Sequence, residues 1–218
     1  MQNPQSPQWL TTPNLVPYEE AVSTMKTRVK AIQEGGEPEL LWALEHPSLY
    51  TLGTSAKRED ILDESLPSFK TGRGGEVTYH GPGQRVVYAM LNLNNRTKDL
   101  RAYVWSLEEW LLLTLKEFGI EAFRRKGRVG LWVPEKSTAT TAMGESIDHK
   151  IAAIGVRVSK WVTFHGVALN VSPDLSHFEG IVPCGIRGHG VTSLHKLGIN
   201  ATLSDVDQTL KITFSKVF

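Results

Sequence analysis

The stretch from Thr71 to Gln84 reads TGRGGEVTYHGPGQ and restricts the fold more than any other part of the chain. A window holding five glycines and a proline supports neither a stable helix nor an unbroken central strand. It does let the backbone turn sharply and approach a ligand closely, because few side chains stand in the way. Arg73, Thr78, Tyr79 and His80 sit among the glycines as polar handles. A strand-like run, RVVYAMLNL, follows from Arg85 to Leu93. An ordinary Gly/Pro hairpin loop is the plain reading; the density of polar groups favours a pocket wall. The stretch is not a Walker loop, since no Gly-Lys-Ser/Thr follows at the required spacing. Nor is it a dinucleotide fingerprint, since no helix-forming run comes after it.

The rest of the composition narrows the field. With 218 residues, 40% of them apolar, the chain has material for one sizeable core and is expected to be a single domain over 1–218. A formal net charge of +1 gives no basic field for nucleic acid. One cysteine excludes an internal disulfide framework and a cysteine-based zinc cluster, and it fits a reducing compartment. No apolar run approaches the roughly 20 residues needed to span a bilayer, and the N-terminus carries neither a secretory nor a transit pattern. A soluble, cytoplasmic protein is the expectation.

Taken in order, residues 1–17 are polar and Pro-rich and read as an extended N-terminal arm. Val22, Met25, Val29 and Ile32 have helical spacing, and Gly35-Gly36 stops that helix. Leu40 to Glu45 reads as a short buried strand, followed by His46-Pro47, where a structural, hydrogen-bonded histidine is expected. Asp99 to Phe118 is the longest helical run, with Leu100, Tyr103, Val104, Leu107, Leu111, Leu115 and Phe118 on one face. Its Trp105 and Trp110 read as packing residues. Val129 to Val133 reads as a strand, and residues 134–149, rich in Ser and Thr, as a surface loop. Lys150 to Ser159 and Trp161 to Val171 are strands joined tightly at Lys160. Period-two alternation puts Trp161, Thr163, His165, Val167, Leu169 and Val171 on one face. Gly155 and Gly166 interrupt these strands, which indicates either close backbone approach or a bulge. Ser204 to Val217 closes the chain as a helix, with Ser204 and Asp207 as its cap. Mixed rather than alternating strands and helices make the class α+β.

Two residues stand out chemically. Cys184 lies between Pro183 and Gly185, so its thiol sits at a bend rather than in regular structure. A free thiol is only slightly ionised at neutral pH, so a nucleophilic role needs a base or cation beside it. A buried, inert cysteine is the bland alternative. Lys150 opens an apolar strand, an expensive place for an ammonium unless it is exposed or paired. A solvated lysine at a strand end is the bland reading there, and spacing alone does not bring Lys150 and Cys184 together.

Several blocks occur in an order that resembles the lipoyl(octanoyl) transferases. RGGEVTYHGPGQ is joined by Glu45-His46-Pro47 and by Tyr50 to Gly53. Lys150 then heads the strand with Gly155-Val156-Arg157, and His165-Gly166 and Ala168 to Val171 follow. Pro183-Cys184-Gly185 and Val191 to Leu194 complete a match running from Leu40 to Leu194. The resemblance implies mixed sheets packed with helices, as in lipoate and biotin protein ligases. It also implies an acyltransferase that moves octanoyl from acyl carrier protein to a lysine of lipoyl domains, those of 2-oxoacid dehydrogenase complexes and the glycine cleavage H protein. In that scheme Cys184 is the acyl-thioester nucleophile and Lys150 lowers the thiol pKa and shuttles protons. Arg73, Gly74, Gly75, Glu76, Val77, Thr78, Tyr79 and His80 would line the acyl pocket with Ala153, Ile154, Gly155, His165, Gly166 and Val167. No cofactor or metal is implied, and neither nucleic acid nor membrane is a partner. His80 and His165 read as polar positioners. An ATP-dependent ligase is the nearest rival, with an amidotransferase between lipoyl domains and a non-catalytic docking module behind it. An acidic carrier would need a basic patch, for which Lys57-Arg58 and Arg124 to Arg128 are candidates.

Overall fold

The computed structural model describes residues 6–135, 147–182 and 189–218. Cys184 and most of the Ser/Thr-rich segment, residues 136–146, lie outside the described residues.

Two sheets carry the architecture. The strands of the larger sheet are β1 (Gln8–Leu15), β2 (Leu40–Glu45), β6 (Gln84–Met90), β7 (Phe123–Arg125), β8 (Arg128–Pro134), β9 (Asp148–Ser159) and β10 (Val162–Asn170), together with the short β11 (Gly190–Val191). Their order is β1-β2-β6-β10-β9-β8-β7, with β11 added beside β9. The smaller sheet is formed by β3 (Leu49–Leu52), β4 (Ser68–Lys70) and β5 (Val77–His80) in the order β4-β3-β5. Helices α1 (Tyr18–Glu34), α2 (Leu100–Glu117) and α3 (Leu203–Phe214) complete the regular structure. Strands and helices are mixed as an α+β chain requires.

The larger sheet is covered on both faces, which explains why β2 and β6 read as continuous apolar runs. Leu40, Trp42 and Leu44 face α1 with Val86, Tyr88 and Met90, packing on Ala21, Met25, Val29 and Ile32. Leu41, Ala43, Val87 and Ala89 face the other way, toward Leu107, Trp110, Leu111 and Leu115 of α2 and Leu210 and Phe214 of α3. Trp110 is fully buried and donates its indole N–H to the Leu210 carbonyl, 2.8 Å away. Trp105 does not pack inside: it is exposed, with the Arg124 guanidinium 4.4 Å above its ring. Leu100 is also exposed, so the buried stripe of α2 is turned toward Trp110.

Three further differences from the sequence reading have local causes. Residues 8–15 are extended, but they pair in parallel with β2 as the sheet edge, with a register break between Thr11 and Leu15 around Pro13. The cap of α3 is Thr202, whose hydroxyl accepts from the Asp205 N–H while the Asp205 carboxylate accepts from Thr202 N–H. Asp207, expected in that cap, instead pairs with Arg85 of β6 at 2.8 Å. The β9–β10 connection is the tight turn expected, with Lys160 and Trp161 both at positive φ, 48° and 63°. That geometry matches the twist of the flanking strands. Among the described residues no helix is long and apolar enough to cross a membrane.

Candidate active site

A cavity of about 260 Å³ opens where the smaller sheet meets β9 and β10. The Gly-rich stretch is its wall. Gly74 N–H donates to the Val156 carbonyl of β9 at 2.9 Å, and Gly53, Thr54 and Ser55 donate to the carbonyls of Glu76, Arg73 and Gly75. Close packing makes two glycines necessary: a Cβ on Gly53 would stand 2.1 Å from the Gly75 carbonyl oxygen, and one on Gly155 would stand 2.8 Å from Arg73 Cδ. Gly155 therefore marks a close approach. Gly166 marks a close approach too, of the neighbouring strand: its Cβ would meet the Val87 carbonyl at 2.2 Å, and the pairing of β10 runs through it without a bulge.

Arg73 is buried, and its guanidinium folds back on β3. Its Nη2 donates to the Thr51 carbonyl and hydroxyl, both at 2.8 Å, and Nη1 donates to the Gly74 carbonyl at 3.1 Å. The residue braces the wall as a buttress between loop and strand. His80 Nδ1 lies 2.6 Å from Gln84 Oε1, and the Gln84 amide N–H₂ donates to the Tyr79 carbonyl and to Asn170 Oδ1. The amide oxygen accepts, so His80 carries its proton on Nδ1 and keeps Nε2 as an acceptor. His46 is the satisfied structural histidine expected: its Nδ1 meets the Val16 carbonyl and its Nε2 the Tyr88 hydroxyl, both at 2.7 Å.

His165 departs from the alternation of its strand. Its φ of 59° turns the ring away from Val167 and Leu169, and it meets Tyr88 edge-on at 6.0 Å on the α1 side. The buried Nδ1 of His165 has no hydrogen-bond partner. Burial pushes His46 down to about 4, His80 to about 3 and His165 to about 4, so all three are neutral rings at physiological pH.

Lys150 is half-buried and lines the cavity. Its ammonium lies 5.4 Å from the Trp132 ring centroid, and its stem crosses Gly130, where a Cβ would come within 2.7 Å of Lys150 Cε. Gly130 has φ of 112° and gives its N–H to Glu108, fixing that crossing point. Glu76 lines the same cavity, and burial, with the Asp60 charge next, holds its carboxyl above the usual carboxylate range, against the pull of Lys150 and Lys57.

Of the residues expected here, Arg73, Gly75, Glu76, Val77, Thr78 and His80 line the cavity with Lys150, Ala153, Ile154, Gly155, His165, Gly166 and Val167. Gly74 sits behind the wall, bonded to β9. Tyr79 faces the smaller sheet's core, against Tyr50 and Phe178. Tyr18, Thr51, Gln84, Tyr88, Asn170 and Phe178 also line the cavity and were not expected. Gln84 ends the Gly-rich stretch, and its amide was the available signal; the others come from segments whose spacing gives none. The proposed basic patches are offset by acids: Arg58 pairs with Glu64, Lys57 with Glu59, Arg124 with Glu108 and Glu109, and Arg125 with Asp148. Among the described residues no three His, Cys, Asp or Glu side chains gather as a metal site.

Comparison with known proteins fits this geometry. A family profile described as the lipoyl protein ligase A/B catalytic domain matches residues 17–215. An octanoyltransferase of Parvibaculum lavamentivorans is 58% identical over 215 residues, covering 98% of this chain and 93% of that protein. One from Dinoroseobacter shibae is 54% identical over 211 residues, 96% of each chain. Among solved structures, a bipartite lipoate protein ligase from Thermoplasma acidophilum superposes with a TM-score of 0.69 at 14% identity, over 97% of this chain and 83% of its own. A lipoate-protein ligase A bound with ATP gives 0.68 at 16% identity, over 98% and 85%. These two share the fold.

Proposed function

The chain belongs to the lipoyl protein ligase A/B catalytic-domain family, and from that premise we propose that it is an octanoyltransferase of protein lipoylation. The donor is an octanoyl thioester of acyl carrier protein, and the acceptor is a lysine of a lipoyl domain. Relatives named octanoyltransferase, similar over nearly the whole chain, support the reaction class.

One observation supports the assignment of roles. Lys150 lines the cavity, and the chain that follows the segment holding Cys184 is fastened directly to it. Val182 N–H donates to the Asp60 carbonyl at 2.8 Å, while Val191 pairs with Lys150 and Thr192 N–H donates to the Lys150 carbonyl at 2.9 Å. Cys184 itself lies outside the described residues, and its role as nucleophile rests on its identity and on the order of blocks it shares with the family.

In the first half-reaction the Lys150 amine takes the Cys184 proton and the thiolate attacks the thioester carbonyl. The carrier C–S bond breaks, and Lys150 returns its proton to the leaving sulfur. In the second half-reaction the acceptor amine attacks the Cys184 thioester, an amide C–N bond forms and the C–S bond breaks. The acceptor ammonium sheds two protons: one returns to the Cys184 sulfur through Lys150 and the other goes to solvent. The tail packs along Val77, Ile154 and Val167, where each buried methylene contributes about 0.8 kcal/mol. A thioester is already activated, so this route consumes no nucleotide.

Intact mass after incubation with octanoyl-carrier protein, without ATP, tests the scheme. A single hydroxylamine-labile adduct on wild type, absent from Cys184→Ser and passed on to an added lipoyl domain, is expected. Activity that instead requires ATP and free octanoate would make the protein a ligase. Lys150→Ala should keep the fold, slow the loading step and raise the thiol pKa; an unchanged pH–alkylation curve for Cys184 would remove Lys150 from the scheme.

A further inference from the structure

Charge on the cavity wall is uneven. Among the described lining residues Arg73, Arg128 and Lys150 are cations, and Glu76 is the one carboxylate. The backbone of Glu76 is pinned, its carbonyl accepting from Gly53 N–H at 3.2 Å. Its side chain is not used by the protein in the same way: Oε2 is buried and accepts no hydrogen bond. A buried carboxylate oxygen without a donor is costly, and one kept on a cavity wall points to a ligand that supplies the donor.

Arg73 is committed to Thr51 and Gly74, as described, and Lys150 is assigned to the thiol. The acceptor brings the missing donor. A lysine side chain arrives at neutral pH as an ammonium, with three N–H donors and no acceptor, and it must enter a cavity otherwise lined by like charge. Resting on the transferase reading, we propose that Glu76 is the binding site for the ε-ammonium of the acceptor lysine, holding it at the cavity beside Lys150. The carboxylate offsets the repulsion from Arg73 and Arg128 and gives the amine a fixed direction toward the acyl-enzyme. Loading from the carrier brings no cation, so the Glu76 charge has no ligand to meet in that step.

The two half-reactions separate this role from others. Loading of Cys184 by octanoyl-carrier protein is followed by intact mass, and transfer is then followed in single turnover against increasing lipoyl domain. Glu76→Gln keeps the shape and removes the charge; Glu76→Asp keeps the charge and checks that any loss is not misfolding. Glu76→Gln is expected to need about tenfold or more acceptor for half-maximal transfer, the loss of one charge-assisted bond, and to change the loading rate by much less than that. Glu76→Asp should recover part of that loss. Wild-type transfer by Glu76→Gln at every acceptor concentration overturns the inference and leaves the transferase reading standing. Loading slowed as much as transfer also overturns it, by assigning Glu76 to Lys150 instead. Failure of wild type to load from the thioester removes the transferase reading, and this inference with it.

Discussion

Acidification from about pH 7.5 to about pH 5 should draw up to about 6 kcal/mol from the stability of this fold through three histidines. His46, His80 and His165 are buried and neutral, with values near 4, 3 and 4. In the unfolded chain each returns to about 6.5. Between those values the unfolded state binds protons that the native state refuses, so stability rises with pH and is lost as pH falls from about 6.5 toward 4. At about pH 5 an unfolded imidazole favours the protonated form by about 30-fold, or about 2 kcal/mol each. Asp207 and Glu76 work against this, because desolvation raises both and the native state takes up their protons first. The observed loss should therefore fall below the sum, yet remain large beside a typical domain stability of about 5–15 kcal/mol. Urea unfolding followed by tryptophan fluorescence at several pH values measures it. His165→Asn is the diagnostic variant, since asparagine tolerates the positive φ at this position. Its stability difference between the two pH values should shrink by about 2 kcal/mol, whatever its absolute stability. A flat wild-type profile, or a variant with the wild-type slope, would refute the argument.

Gly155→Ala should destabilise by about 1–3 kcal/mol and depress transfer, because its Cβ would push on Arg73 Cδ and the Gly74 carbonyl; thermal unfolding and the single-turnover assay check both. At the start of α3, Ser204→Ala should change stability by less than about 0.5 kcal/mol, while Asp205→Ala, which breaks the capping box, should cost about 1 kcal/mol. Asp207→Ala should cost about 3 kcal/mol, as it strands the buried Arg85 guanidinium without its carboxylate. Equal effects from Ser204 and Asp207 in chemical denaturation would restore the cap expected from sequence.

Local patterns were legible where local forces decide. The α1 stripe and its Gly35 stop, the burial of β2 and the tight β9–β10 turn all follow from spacing and punctuation. Pairings decided by distant partners were not. Gln8 to Leu15 looks like an arm because Pro13 and the threonines carry no alternation, and only the free edge of β2 makes it a strand. Thr202 lies two residues before the expected cap, and Arg85, remote in sequence, claims Asp207. His165 left its face because a positive φ reverses the side chain, which no two-residue periodicity encodes. For the site, the Gly-rich wall could be read because glycine and arginine have few other reasons to be interleaved. Tyr18 and Tyr88 could not, since an aromatic in a buried element looks the same whether it fills a core or borders a cavity.

The order of strands in the larger sheet also has a kinetic consequence. β9 and β10 are joined by two residues and pair from Ser159–Val162 to Ala152–Leu169, so they can zip from their own turn. β6 and β10 lie side by side yet are far apart along the chain, the Gln84–Asn170 side-chain bond spanning 86 residues. Closing that loop costs chain entropy before any contact rewards it, so refolding is expected on the slower, millisecond-to-second scale of chains rich in non-local strand pairs. The hairpin that forms the cavity floor is thus available early, and the Gly-rich wall arrives only once β6 has found its place.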